Sequence, residues 1–290
     1  MSQHDMTVDN GAGLAVRADL NLALKALASQ CSGASAPSPS YPCQLWADTG
    51  TGRIRQRDSA NTLWIDLGPL DSATRYAGRL IGVQIFTASG TYTPTPGMVS
   101  CIIEDQGGGG GGAGITIPSA GNISLGAPGA PGAYAIGRFL AASIGASQVV
   151  TVGAAGTASA GAAGGTGGTS SVGSLISAAG GAGGGLLNNQ VSPIINGNGV
   201  ATAAPTGGNI YGTRGVTNGI SSSTSASFGV GGFGGASKFG NGGNGGVLNG
   251  NGGNALNYGT GGGGTCGASG SATLSGGSGL GGIVIIWEYA

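Results

Sequence analysis

The run Gln106-Gly-Gly-Gly-Gly-Gly-Gly-Ala-Gly114 gives the chain almost no side chains from which to build a core. It opens a glycine-saturated region that closes only at the strand-like Ile283-Val-Ile-Ile-Trp287. Ten of the 68 glycines precede residue 107, so 68 − 10 = 58 fall in the last 290 − 106 = 184 positions. A glycine fraction near one third points to collagen or to disorder, but the collagen frame, with glycine at every third position, is absent. The period is instead x-Gly-Gly. It recurs at Ala163–Thr169, Ala179–Gly184, Val230–Ala236, Asn241–Val247, Asn251–Asn254 and Leu280–Ile283. An extended helix of three residues per turn places every x on one edge and leaves two edges of bare backbone. Such a helix makes no internal hydrogen bonds, so its buried N–H and C=O groups need partners on neighbouring helices. The expectation is a bundle of polyglycine II-type helices bonded sideways, in which a seven-residue run spans about 20 Å. The competing reading is a flexible glycine linker. Against it stand the 39% hydrophobic content and the apolar runs on either side. Ordering so much glycine carries a large backbone entropy cost, which favours mutual packing or oligomerisation.

Charge is distributed unevenly. Seven acidic and seven basic residues fall within positions 1–80, and the net charge is zero. From Gln106 to Trp287 there is no Asp or Glu, and the cations are Arg138, Arg214 and Lys238. Without a basic patch or acidic tail, neither nucleic acid nor an anionic membrane is expected as a partner. No apolar segment approaches the roughly 20 residues that cross a bilayer. The start, Met-Ser-Gln-His-Asp, lacks the basic and apolar parts of a secretion signal. Cys31, Cys43, Cys101 and Cys266 are scattered, and are expected to be buried thiols made in a reducing cytoplasm.

Residues 12–30 carry the helical stripe Val16, Leu20, Leu24, Leu27, with Leu22 off it, so more than one face seeks cover. The first region, 1–33, is therefore read as an attachment and oligomerisation helix. After a Ser/Pro linker at Ala34–Pro42, residues 44–70 read as a three-stranded meander: Gln44–Asp48, Arg53–Arg57 and Thr62–Leu67. Trp46 and Trp64 are expected on one face, while Arg53, Arg55 and Arg57 alternate onto one strand face that is solvated or paired with Asp48 and Asp66, rather than reserved for an acidic partner. Residues 71–82 form a connector and 83–290 the glycine-rich region. There Val83–Thr93 reads as a hairpin, followed by strands at Met98–Glu104, Arg138–Leu140, Gln148–Val152 and Ile283–Trp287. The inserts Ile115–Leu125, Leu186–Phe228 and Ser237–Phe239 read as exposed loops on a rigid scaffold. The fold class is thus mainly β: an N-terminal helix and small β-meander, then a C-terminal β-sheet domain with polyglycine II-type helices and long loops.

The stretches Ser2-Gln-His-Asp5, Asn10-Gly-Ala-Gly, Arg17-Ala-Asp-Leu-Asn21, Leu45-Trp-Ala-Asp-Thr and Trp64-Ile resemble the tail-fibre proteins of tailed bacteriophages. Phe86-Thr-Ala-Ser-Gly-Thr-Tyr-Thr, Gly107–Gly112, Val150-Thr-Val-Gly-Ala-Ala-Gly and Gly282-Ile-Val-Ile-Ile-Trp-Glu-Tyr289 are similar to the glycine-rich distal domain of that family. The resemblance implies an N-terminal end joined to other tail or baseplate proteins of the virion, a fibre that is usually a homotrimer, and a tip that binds a bacterial surface glycan or protein. The inserts fall outside it. The family's run of valines before the glycines is replaced here by Cys101-Ile-Ile-Glu-Asp-Gln106, so Glu104 and Asp105 need exposure or partners.

A fibre tip can also cleave polysaccharide, which usually takes two carboxyl groups about 5–9.5 Å apart. Residues 106–287 supply none, and Glu104 and Asp105 point to opposite faces of a strand. The one histidine, His4, excludes a Ser-His-Asp triad in the glycine-rich region. No His/Cys/Asp spacing suits a metal, and Gly107–Gly112 lacks the Gly-Lys-Ser/Thr of a phosphate loop. The expected activity is binding, without enzyme chemistry, metal or cofactor. Aromatic side chains beside amides and cations suit such a surface, and the receptor-binding candidates are Tyr211, Arg214, Asn218, Phe233, Lys238 and Phe239. A purely structural tail protein without receptor contact is the alternative.

Overall fold

The computed structural model describes residues 3–5, 7–8, 10–71, 78–197, 202–216 and 219–290. The chain divides into two units, Met1–Arg79 with Ala290, and Leu80–Tyr289.

In the first unit, α1 (Gly13–Ala28) starts after Ala12, which has no side chain able to cap it, and ends at Ser29, whose hydroxyl donates to the Lys25 carbonyl. Of its apolar residues Ala26 is buried, whereas Leu14, Leu20, Leu22, Leu24 and Leu27 stand exposed. The meander forms as the sequence indicates, from β1 (Leu45–Asp48), β2 (Arg53–Arg57) and β3 (Trp64–Pro69) in antiparallel order. Trp46 and Trp64 meet edge to face with ring centroids 5.3 Å apart. Arg53 pairs with Asp66 and Arg55 with the buried Asp48. Arg57 instead donates to Asn61 and covers the Trp64 ring.

The second unit begins with β4 (Leu80–Phe86), β5 (Gly90–Tyr92), β6 (Ser100–Gln106), β7 (Ile123–Gly126) and β8 (Tyr134–Leu140). A helical turn, α2 (Ala141–Ile144), leads to β9 (Gln148–Thr151), β10 (Ser170–Val172) and β11 (Ile176–Ala178). Then follow β12 (Leu186–Gln190), β13 (Ile194–Gly197), β14 (Tyr211–Thr213), β15 (Ile220–Ser225), β16 (Phe228–Val230), β17 (Thr265–Ala268) and β18 (Ile283–Tyr289). A five-stranded sheet, β14-β8-β6-β18-β4, and a four-stranded sheet, β11-β10-β9-β5, enclose one apolar core. Ile103, Val284 and Ile286 enter it from the first sheet, and Tyr92, Val150, Val172 and Ile176 from the second.

Three expectations fail here. The insert Ile115–Leu125 is not simply an exposed loop, for its end enters β7 and Ile115, Ile123 and Leu125 are fully buried. Residues 83–93 do not form a hairpin: β4 pairs with β18 and β5 with β9, so the turn between them carries the chain from one sheet to the other. The insert Leu186–Phe228 is not a long loop, for it holds β12 to β15 and reaches β16. Its strand Ile220-Ser-Ser-Ser-Thr-Ser225 has no apolar face to signal it. What holds it is polar: the buried Ser221 hydroxyl donates to the Gly126 carbonyl at 2.6 Å and accepts from Gly232 N–H at 2.8 Å.

Between these sheets and a second group, β12-β7-β17 with its small cluster of Ile123, Leu125 and Cys266, the strands run on as glycine segments. Segment 107–114 continues β6 and lies at their centre. Its N–H groups donate in three directions in turn. Gly107, Gly110 and Ala113 donate to the carbonyls of Ala133, Ala130 and Ala127; Gly108, Gly111 and Gly114 to Gly168, Gly165 and Ala162; Gly109, Gly112 and Ile115 to Leu280, Gly277 and Leu274. All nine bonds measure 2.8–3.0 Å. Three further segments return bonds to its carbonyls: Gly181 and Gly184 to Gly108 and Gly111, Gly156 to Gly109, and Gly262 to Gly110. The outer segments 231–236, 241–247 and 250–255 extend the network, with Gly234 donating to Gly243 and Gly253 to Asn244.

None of Gly107–Gly112 has a positive φ. Their glycine identity is required by proximity, not by backbone conformation: a Cβ at each would collide with a facing backbone carbonyl oxygen, as at Gly109 against Thr260 or Gly112 against Gly263. One segment of the network carries other residues and lacks the x-Gly-Gly period. In Ala127-Pro-Gly-Ala-Pro-Gly-Ala133 the alanines and glycines donate inward, while proline, with φ fixed near −65° and no N–H, fills the remaining edge. The glycine-every-third frame that the chain lacks as a whole is present in this stretch. Backbone groups at the ends of the network are satisfied by short buried side chains. Ser170 donates to the Gln106 carbonyl, Thr265 to Ala113, and Asn196 to Leu125.

This arrangement generates a stability prediction. Cβ groups at Gly243 and Gly246 would meet the carbonyls of Gly253 and Gly250, whereas Asn244 already carries an exposed side chain. Overpacking costs about 1–3 kcal/mol, and a backbone group left unsatisfied adds about 1–3 kcal/mol. In melting of the full chain, Gly243→Val and Gly246→Val should each lie well below Asn244→Thr. Equal melting of the three would show that the contacts around Asn241–Val247 contribute nothing to stability.

Candidate functional site

A hollow of about 510 Å3 opens beside the end of β6, with Gln106, Pro131 and Gly132 among its lining residues. Its position follows from pairing. β14 adds to the free edge of β8 in the register Tyr211↔Ile136, Gly212↔Ala135, Thr213↔Tyr134. The pairing brings the rings of Tyr211 and Tyr134 to 6.4 Å between centroids, tilted by 47°. The chain then passes Arg214 to Gly215, which is pinned where a Cβ would strike the Pro131 carbonyl. That same carbonyl accepts from the Thr202 hydroxyl at 2.9 Å, and Thr202 N–H donates to Gly215. Lys238 comes to the hollow from the short segment between the outer glycine runs.

Three side chains are locked together there. Tyr134 donates its hydroxyl hydrogen to Glu104 Oε2 at 2.8 Å, and Lys238 Nζ donates both to the same oxygen, at 2.9 Å, and to the Tyr134 hydroxyl oxygen. Lys238 Nζ also lies 4.4 Å from the Tyr134 ring centroid. Burial pushes the Glu104 carboxyl up, but Lys238 and Tyr134 outweigh it and hold it below its ordinary range. Burial pulls Lys238 down, and Tyr134 and Glu104 outweigh that in turn and raise it. Burial and the bond to Glu104 raise Tyr134 against the pull of Lys238. The cluster is therefore a charged, closed ion pair over the whole neutral range. Arg214 differs: it is exposed, its backbone carbonyl accepts from the Thr213 hydroxyl at 3.3 Å, and no described residue forms an ion pair or hydrogen bond with its guanidinium. At the wall, Gln106 Nε2 donates to the carbonyls of Gly107, Gly132 and Ala133, leaving its buried Oε1 without a donor.

Of the receptor-binding candidates, Tyr211, Arg214 and Lys238 thus share one hollow. Phe233 and Phe239 do not line it. Phe233 is exposed beside Asn241 and Asn244, bordering a separate hollow of about 260 Å3. Phe239 packs edge to face on Tyr258 at 6.5 Å. Asn218 lies outside the described residues. Tyr134 and Glu104 are the members that sequence reasoning missed as site residues. The strand parity of Glu104 was readable, since Ile102 and Glu104 face away from Cys101, Ile103 and Asp105 on β6.

The remaining carboxyl groups of this unit are spent within the fold. Glu288 is buried and accepts from Tyr92, from the Thr95 hydroxyl and N–H, and from Gln84. Burial pushes it up, but these bonds together hold it below its ordinary value. Asp105 follows Cys101 and Ile103 onto the core face and is fully buried, with no hydrogen bond to either carboxyl oxygen. Burial raises it to about 8, against a weaker pull from the nearby Ala178 N–H. Of the two acids that needed exposure or partners, Glu104 has partners, whereas Asp105 is enclosed with only the Ala178 N–H nearby. Burial also pushes the Cys101 and Cys266 thiols up to about 11. All four cysteines are free, and Cys43, expected to be buried, is exposed. Among the described residues no group of His, Cys, Asp or Glu is placed to hold a metal, and no helix is long and apolar enough to cross a membrane. No family model matches the chain, and no curated protein is significantly similar to it.

Asp105 sets a pH dependence. Its folded value, about 8, lies above the ordinary 3.8, so the neutral form stabilises the fold fully below the lower value. That contribution is lost as pH rises from about 4 to about 8. The melting temperature should fall between pH 5 and pH 8, and Asp105→Asn, which mimics the neutral acid, should melt higher at pH 8 and flatten the slope. An unchanged slope in Asp105→Asn would show that the carboxyl does not titrate in this range.

Proposed function

We propose that the chain is a bacteriophage tail-fibre protein that joins the virion through its N-terminal region and recognises the host cell surface through its glycine-rich C-terminal region. The observation that carries this reading is the meeting of Tyr211, Arg214 and Lys238 in one hollow, on a backbone pinned to the glycine network. Binding sites gain from such rigidity, because little further ordering is needed when a partner arrives. The glycine segments themselves are polyglycine II-type helices on this reading. The rotation of donors through three directions in 107–114, each direction repeating every third residue, is what supports it.

Recognition without catalysis is the activity proposed. In the second unit Glu104 is ion-paired, Asp105 is neutral and enclosed, and Glu288 is saturated with donors, so none offers a free carboxylate for acid–base work. The partners are other copies of this chain, tail or baseplate proteins of the virion, and a bacterial surface glycan or protein. The protein would be made in the host cytoplasm and act in the virion. The uncovered leucines of α1 support self-association, as a homotrimer or with a virion partner.

Deleting Leu186–Phe228 is not a clean test, because it removes β12 and β14 from sheets they complete. The double variant Tyr211→Ala/Arg214→Ala leaves those strands in place. Particles carrying it should assemble normally and adsorb to host cells at least about tenfold more slowly, equivalent to roughly 1.4 kcal/mol. Normal assembly with unchanged adsorption would favour a structural tail protein without receptor contact. Separately, light scattering of the purified chain at micromolar concentration should give a trimer, and substituting Leu20 and Leu24 by Ser should shift it toward monomer. A wild-type monomer would contradict the oligomeric part of the reading.

A further inference from the structure

We propose that the hollow beside β6 binds a sugar residue bearing a negative charge, a carboxylate or a phosphate, with Arg214 holding the anion and Tyr211 covering the ring. The inference rests on the reading of this chain as a host-binding fibre and names the chemical class that its site accepts.

The volume, about 510 Å3, falls in the range of pockets that enclose small ligands. Its charges are not equivalent. Lys238 is neutralised by Glu104, which sits with it in the same cluster, so that pair adds little net field. Arg214 lacks such a partner among the described residues and supplies the net positive charge. No other carboxylate competes for it from the lining, and the sequence holds none between Gln106 and Trp287. A guanidinium is suited to carboxylate and phosphate alike, because its planar fork can give two parallel hydrogen bonds.

The other walls suit a ring rather than a bare ion. Tyr211 is 57% exposed and its ring lies against Tyr134, which the Glu104–Lys238 pair holds in place. A fixed aromatic surface covers the C–H face of a pyranose at low entropy cost. Gln106, Thr213 and Ser237 add polar side chains to the lining. An inorganic anion would use Arg214 and leave this aromatic wall empty.

The test is a calorimetric or NMR titration of the full chain with glucuronate, glucose 6-phosphate, neutral glucose, inorganic phosphate and tri-glutamate. At least one charged sugar should bind saturably, and about tenfold or more tighter than glucose, phosphate or tri-glutamate. The two charged sugars separate the carboxylate source from the phosphate source. Arg214→Gln should weaken that binding at least about tenfold, Arg214→Lys should retain part of it, and Tyr211→Ala should reduce the preference for sugar over phosphate. Melting temperature checks that each variant is folded. Equal binding of phosphate or tri-glutamate would overturn the sugar assignment, and binding insensitive to Arg214→Gln would overturn the site. Neither charged sugar binding while particles still adsorb through Tyr211 and Arg214 would overturn this inference and leave the host-binding reading standing. Sugar binding by a chain whose loss of Tyr211 and Arg214 leaves adsorption unchanged would sink the host-binding reading and leave the sugar site standing.

Discussion

Everything in the second unit depends on hydrogen bonds between backbones that lie too close for any side chain to intervene. A glycine segment has little apolar surface to bury, so the usual driving force for packing is weak. What replaces it is full pairing of the peptide groups together with dense contact. Each bond contributes modestly, about 0.5–1.5 kcal/mol, but a peptide group stranded inside the network would cost about as much or more. The arrangement therefore holds as a set. Segment 107–114 donates in every direction that its three-residue rotation reaches, and it accepts from three further segments.

The apolar core and the glycine network support each other through continuity of chain. β6 runs into 107–114, β9 into the segment around Gly156, and β11 into the segment around Gly181, so strands fixed by the core deliver their glycines already aligned. At the far end β7 leads into 127–133, β12 continues the segment around Gly181 and β17 follows the one around Gly262, all meeting around Ile123, Leu125 and Cys266. This offsets the large entropy cost of ordering glycine, because the inner runs are anchored by strands and the outer runs 241–247 and 250–255 by bridges such as Val230–Val247 and Gly250–Cys266. The hollow is then built where β6 gives way to glycine, and the network supplies the Pro131 and Gly132 backbone against which Thr202 and Gly215 are pinned.

How much of this the residues disclose depends on whether the signal is local. The x-Gly-Gly period, the paired tryptophans and the apolar Ile283–Trp287 each announce themselves within a few positions, and the meander and β18 lie where they were expected. Ala127–Ala133 went unread because its glycines are single and separated by Ala-Pro, although proline prefers the same extended helix. β15 is hidden by serines whose role emerges only against Gly126 and Gly232. The residues Thr87–Gly90 look like a hairpin turn, yet the partners of β4 and β5 lie on distant strands, which no local pattern encodes. The same is true of the site. Tyr211 and Lys238 were identifiable as an exposed aromatic and a rare cation, but their meeting around Tyr134 is set by the β14–β8 register and by the route of the outer glycine runs. Asp105 shows the reverse failure: parity with Cys101 and Ile103 placed it on the core face, while its acidity argued for the surface.

Native-state amide exchange of Gly107–Gly112 tests the central claim most directly. Exchange rates report whether an amide opens locally or only when the whole unit unfolds. If the glycine network is a fully bonded part of the fold, these six amides will be protected as strongly as Ile103 and Val284 in the core strands. All three donor directions will share that protection, with no faster-exchanging set at every third residue. Rapid exchange across Gly107–Gly112 while Ile103 and Val284 stay protected would contradict it, and would mean that the glycine runs are loose connectors hung from an ordinary sandwich.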